Sequence, residues 1–129
     1  MSGLAERVGA MTEFELRAEE EGALSRQRAL ALEQRMRRLA DRGQWKEAVI
    51  VGDALLRTRG REDDPILRGC VARTLLSMAD CLQGLGHPES AVTAVDVLLG
   101  EFAGSSDGEL RRYVAEALRR RASLHADWH

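Results

Sequence analysis

Asparagine is absent from the chain, lysine occurs once, at Lys46, and there are only two prolines, two cysteines and a handful of aromatic residues. Each shortage removes a class of answer. Cys70 and Cys81 lie eleven residues apart in one helical segment, about 16 Å along a helix axis. The Cα atoms of a disulfide sit within about 7 Å. The two therefore cannot pair, and a stapled secreted scaffold gives way to two small buried thiols in a reducing compartment. No run approaches the roughly 18 apolar residues that cross a bilayer. The opening MSGLAERVGAM has no basic stretch followed by an apolar one, so the expected location is the cytoplasm, without a membrane partner. A formal net charge of -2 gives no overall attraction to nucleic acid or an anionic surface.

Chemistry is also scarce. There is no glycine-rich phosphate loop, C-x-x-C pair, H-E-x-x-H or G-x-S-x-G, so neither an enzyme nor a cofactor is expected. His125 and His129, with Asp127 between them, have the spacing of a helical metal clip but fall where chain ends fray, and no metal site is assigned to them. His87 is expected to cap a helix. What the chain does hold is Ala, Leu, Arg and Glu in abundance, the composition of an all-α protein, over a length of 129 residues that suits one domain.

That helical chain is written twice. Shifted by 43 residues, Ala48, Val49, Asp53, Leu55, Leu56 and Asp64 meet Ala91, Val92, Asp96, Leu98, Leu99 and Asp107. Leu67, Arg68, Val71, Ala72, Leu75 and Ala79 then meet Leu110, Arg111, Val114, Ala115, Leu118 and Ala122. Twelve identities in thirty-five positions, most at helical core spacing, mark a repeat architecture. A weaker copy upstream aligns Leu24, Ala29, Leu32, Met36, Leu39 and Gly43 with Leu67, Ala72, Leu75, Ala79, Leu82 and Gly86.

Leu67, Val71, Leu75, Met78 and Leu82 step by three or four and form one apolar stripe. Asp64-Pro65 supplies an N-cap followed by proline at the first helical position, Gly84 or Gly86 can end that helix left-handed, and Thr12 with Glu15 has the spacing of a capping box. The pattern predicts long A helices near 24–42, 65–84 and 108–126, and shorter B helices near 45–59 and 88–102. A helix beginning near Glu13 is expected to break or bend at Gly22. Leu75 and Leu98 are expected in the core. The recurrence of Asp53 and Asp96 in B helices, fifteen residues before Arg68 and Arg111, predicts a repeated Asp-to-Arg bridge from each B helix to the next A helix.

The segment DRGQWKEAV, with Gly43, Trp45, Glu47, Ala48 and Val49, resembles the helix-to-helix turn of the tetratricopeptide repeat family. In the second copy Gly86, Ala91 and Val92 match, while Pro88 and Ser90 replace the aromatic and the Glu. Leu75, Ala79 and Leu82 occupy the family's large, small and large positions. The likeness covers residues 24–125, with a unit of 43 residues where the family has 34. It implies an all-α, α–α superhelix of about five to six helices: an acidic extension over 1–22, then a repeat domain over 23–129 with repeats 23–64 and 65–107 and a capping helix 108–127.

The resemblance further implies a non-enzymatic module that binds a partner protein or peptide across the A helices. The positions it assigns to that face are Glu33, Arg37, Arg73, Leu76, Ser77, Asp80, Gln83 and Arg120, of which Arg37, Arg73, Leu76 and Asp80 lie away from the Leu32/Leu39 and Leu75/Leu82 stripe and so are expected to have no folding role. Arg73→Ala is then expected to weaken binding with little effect on melting. The family's carboxylate-clamping Lys and Asn have no counterpart here.

Two alternatives come from other features. Residues 1–22 carry six Glu against Arg7 and Arg17, whereas five Arg follow residue 108 against Glu109, Glu116 and Asp127. Such opposed ends suit a self-assembling homo-oligomer, because a stack of few repeats leaves apolar ends to cover. The same basic helix suggests a nucleic-acid-associated regulator, a reading weakened by the lack of an aromatic platform beyond Tyr113.

Overall fold

A computed structural model describes residues 12–58 and 64–128. Five helices follow one another: α1 (Glu13–Asp41), α2 (Trp45–Arg57), α3 (Pro65–Gly84), α4 (Pro88–Phe102) and α5 (Gly108–Trp128). No strand occurs among the described residues, and no described helix is long and apolar enough to cross a membrane. The A helices are α1, α3 and α5; the B helices are α2 and α4.

The ends of these helices follow from local chemistry. Thr12 accepts from the Glu15 amide at 3.1 Å while the Glu15 carboxylate accepts from the Thr12 amide at 3.4 Å, closing the capping box. Asp64 accepts from the amides of Ile66 and Leu67 ahead of Pro65, and its repeat equivalent Asp107 accepts from that of Leu110. The two A-to-B turns share one design. Gly43 and Gly86 take φ of 74° and 81°, the left-handed region that glycine enters without a Cβ penalty. In each turn that glycine's amide donates to the carbonyl three residues back, and the next amide, of Gln44 or His87, reaches Leu39 or Leu82 at 2.9 Å. These are the paired bonds of a Schellman cap, so it is Gly86 rather than Gly84 that ends α3.

Gly84 has another use. A Cβ placed there would lie 2.8 Å from the Trp45 ring, so the aromatic of the G-x-W turn lies directly on the last turn of α3. His87 stands at the N-cap position of α4 but its side chain makes no capping bond, contrary to expectation; Pro88 at the first helical position carries the start instead.

Packing proceeds along the chain. Each helix touches its immediate neighbours, α1 also touches α3, and α3 also touches α5, with no contact from α1 to α4 or α5. The main core joins Ala29, Leu55, Leu67, Val71, Leu75, Val95, Leu98, Phe102, Leu110 and Leu124; a second cluster sets Met36, Ala48 and Val51 against Met78 and Cys81. Leu75 and Leu98 are core residues, as the stripe predicts. Both thiols are buried and free.

Two expectations fail here. α1 is helical without interruption through Gly22, so the described part of the acidic extension and the first A helix are one element. The repeated Asp-to-Arg bridge does not form: Asp53 pairs with Arg57 on its own helix at 2.7 Å, and Asp96 pairs with Arg121 at 3.1 Å. Arg68 instead stands over the Phe102 ring, 5.8 Å from its centroid.

Candidate functional site

The A helices lie side by side, and polar side chains cross from one to the next. Arg73 of α3 donates to Glu33 of α1 through Nε and Nη2 at 2.5 and 2.9 Å, a bidentate pair, and turns Nη1 to Glu109 and Tyr113 of α5 at 2.9 and 3.2 Å. Two turns further along, Arg120 of α5 grips both oxygens of Asp80 on α3 at 2.8 and 3.0 Å and holds Glu116 on its own helix. Glu33 to Arg73, Arg73 to Tyr113 and Asp80 to Arg120 each span 40 residues. With A helices recurring every 43 residues, a partner 40 away sits one turn earlier on the neighbouring A helix.

Burial sets the character of the first cluster. Burial pushes the Glu33 carboxyl up, but the Arg73 guanidinium, the Cys70 thiol and the Arg37 charge together hold it below the usual carboxylate range. Arg73 is correspondingly held in its charged form by Glu33 above all. The Cys70 thiol is pushed up to about 11 by burial and by the adjacent Glu33 charge, the opposite of what a nucleophilic cysteine needs. At the start of α3, burial raises the Asp64 carboxyl, but Arg26 at 2.8 Å and two backbone amides more than offset this and lower it.

Below the Glu33 cluster the face opens into a recess of about 380 Å³ between the end of α1, the start of α2 and the second half of α3. It is lined by Arg37, Ala40, Asp41, Trp45, Ser77, Asp80 and Cys81. Of the residues expected on the binding face, Arg37, Ser77 and Asp80 meet at this recess, Glu33 and Arg73 are locked together above it, and Arg120 is held beside it by Asp80. Gln83 is exposed near the end of α3.

Two of these residues differ from expectation. Leu76 is 7 % exposed and belongs to the main core, because α3 has neighbours on several sides and the stripe through Leu75 is only part of its buried surface. Arg73 is not free of a folding role, since it neutralises a carboxylate whose side chain is 7 % exposed. Sequence reasoning missed Glu109 and Tyr113 as partners of Arg73. For Tyr113 the signal was available in the 40-residue spacing, which the 43-residue alignment conceals by pairing Arg73 with Glu116; Glu109 lies 36 residues from Arg73, one turn before Tyr113 on the same helix.

The basic run of α5 is largely occupied: Arg119 is paired with Glu116, Arg120 with Asp80 and Arg121 with Asp96. Arg111 and Arg112 form no ion pair among the described residues. No cluster of three or more metal-ligating side chains occurs among the described residues, while the side chains of Asp127 and His129 lie outside them. Comparison of the chain with family models, with curated proteins and with solved structures finds no match.

Proposed function

We propose that this chain is a tetratricopeptide-like, non-enzymatic interaction module of the cytoplasm, its helix pairs stacked as a superhelix, which takes an extended segment of a partner protein across its A helices. The observation that carries this reading is the recess at Arg37, Trp45, Ser77 and Asp80, set between helices joined by the Schellman turn that the repeat uses twice. Its chemistry favours a basic side chain from the partner. Asp41 places a carboxylate at the rim beside Asp80, whose oxygens Arg120 already grips, and Trp45, 39 % exposed, offers part of its ring to a cation. Arg37 is drawn toward Glu33 at 3.4 Å, and Asp41 forms no ion pair among the described residues, so Asp41 is the carboxylate left for a basic group.

The test places a photo-crosslinking amino acid at Ser77, or at Thr93 on a B helix, in otherwise wild-type protein exposed to source-cell extract. A discrete adduct is expected from Ser77 and none from Thr93. Ser77→Arg, which fills the recess, is expected to abolish partner capture while helicity and melting temperature stay close to wild type. Equal adducts from both sites, or capture unaffected by Ser77→Arg, would overturn the assignment.

A further inference from the structure

The repeat exposes an unfinished surface. Val71, Ala72, Leu75 and Ala79 of α3 are 3, 0, 2 and 1 % exposed. Their equivalents 43 residues on are Val114, Ala115, Leu118 and Ala122 of α5. There Leu118 is 52 % exposed, both alanines are exposed and Val114 is half-buried. In the second repeat α4 follows α3 and packs against it; among the described residues α5 touches only α3 and α4, and no described helix covers this side. The stripe Arg111–Ala115–Leu118–Ala122 steps by four, three and four, so it forms one face. Its alanines allow close approach, and Arg111 at one end, with Arg112 beside it, has no carboxylate among the described residues to meet.

The opposite end of the molecule carries the complement. The Arg26–Asp64 bond sets residue 26 level with the start of α3, so residues 13–25 of α1 project beyond that level by about 20 Å at 1.5 Å per residue. On this projection Phe14 is 81 % and Leu24 60 % exposed. Phe14, Arg17, Glu21 and Leu24 step by three, four and three and share a side. The segment holds Glu13, Glu15, Glu19, Glu20 and Glu21 against Arg17 alone. It cannot serve its own α5, because α3 lies between and α1 and α5 do not touch.

We propose that the exposed face of α5 receives the acidic first half of α1 from a second copy of this chain, joining copies head to tail. Phe14 and Leu24 cover Leu118 and its flanking alanines, and the surrounding carboxylates meet Arg111 and Arg112. A two-fold α5-to-α5 contact would instead bring Arg111 and Arg112 of both copies into one interface, where like charges oppose association. Because the two surfaces differ, the contact is heterologous and extends with concentration unless the rotation closes a ring. It is independent of partner binding in the recess.

Sedimentation velocity of the full chain decides the matter. Wild-type protein is expected to gain mass with concentration at low salt and to lose it as salt is added. Leu118→Asp and Phe14→Asp, both at exposed positions, are each expected to weaken self-association by about tenfold or more while circular dichroism keeps the wild-type helicity. Mixed in equal amounts, the two variants retain one intact surface of each kind, so they should form a dimer and nothing larger. A wild-type monomer at every concentration and salt overturns the proposal. So does assembly that survives Phe14→Asp but not Leu118→Asp, the signature of an α5-to-α5 contact, and so does a mixture of variants that stays monomeric.

Discussion

Replacing Arg73 by methionine isolates the bond on which the A helices depend. The side chain of Glu33 is 7 % exposed and that of Arg73 27 %. Arg73→Met therefore leaves a carboxylate buried with only the largely exposed Arg37, at 3.4 Å, and the Cys70 thiol for company. Breaking a buried pair on one side costs about 3–5 kcal/mol; the partial exposure of Arg73 puts this case near the lower end, about 3 kcal/mol, or on the order of 10 °C in melting temperature for a domain of this size. Glu33→Leu combined with Arg73→Met should recover most of the loss, because no buried charge remains, and Tyr113 can still donate to Glu109.

The pH dependence gives the sharper readout. In the wild type the folded Glu33 carboxyl lies below its ordinary value of 4.5. The unfolded chain then takes up the proton first as pH drops, so the pair's contribution is whole above about pH 4.5 and is lost as the pH falls through the lower, folded value. In Arg73→Met the dominant influence left on Glu33 is burial, which raises its carboxyl. The unfolded chain now loses its proton first, and the variant is destabilised progressively as the pH rises from about 4.5. Urea denaturation followed by circular dichroism between about pH 3 and pH 8 should show the two curves converging in acid and separating toward neutrality. Parallel curves, with Arg73→Met within about 0.5 kcal/mol of wild type at neutral pH, would refute the buried-pair account.

Leu98→Ala, at a fully buried position, is expected to lose about 2–5 kcal/mol in urea denaturation, whereas the same change at Leu118 should cost less than about 1 kcal/mol in the monomer. Gly52→Ala places a Cβ 2.8 Å from Met78 Cγ and 2.9 Å from Met36 Sδ and should destabilise despite its helix propensity, while Gly100→Ala, with open space around it, should gain about 0.5–1 kcal/mol. Thr74 Oγ1 is buried and meets no hydrogen-bond partner among the described residues, so Thr74→Val should leave stability unchanged or raise it by about 1 kcal/mol. Cost comparable to a core cavity would show that the hydroxyl has a partner after all.

Helices and turns were legible because their signals are local. The cap at Asp64 and the proline after it are consecutive residues, and Gly43 and the Gly84/Gly86 pair follow directly on a helical run, so these ends could be marked without knowing what lies nearby. The face of α3 was less legible, and the reason is geometric. A stripe of period 3.6 describes a helix with one buried side, but α3 touches α1, α2, α4 and α5. Leu76 and Arg73 therefore fall outside the stripe and still face other helices. The expected Asp96–Arg111 bridge depended on side-chain direction across two helices, which residue spacing along the chain does not fix: Asp96 pairs with Arg121 in the latter half of α5 instead of with Arg111 in its first turn.

Identity and exposure carry different information in a repeated chain. Leu75 and Leu118 are the same residue at the same place in the unit, yet one is 2 % and the other 52 % exposed. The identity reports a position within the repeat, and the exposure reports a position within the stack. Where the two agree, as for Leu55 and Leu98, buried alike in α2 and α4, the residue is accounted for by packing along the chain. Where they disagree, a surface shaped to receive a helix meets none among the described residues. A nearest-neighbour stack satisfies each interior unit by its two flanks and leaves the demand at its ends. The junction proposed above joins the apolar residues of α5 to the projecting half of α1, and it pairs the arginines of one with the carboxylates of the other.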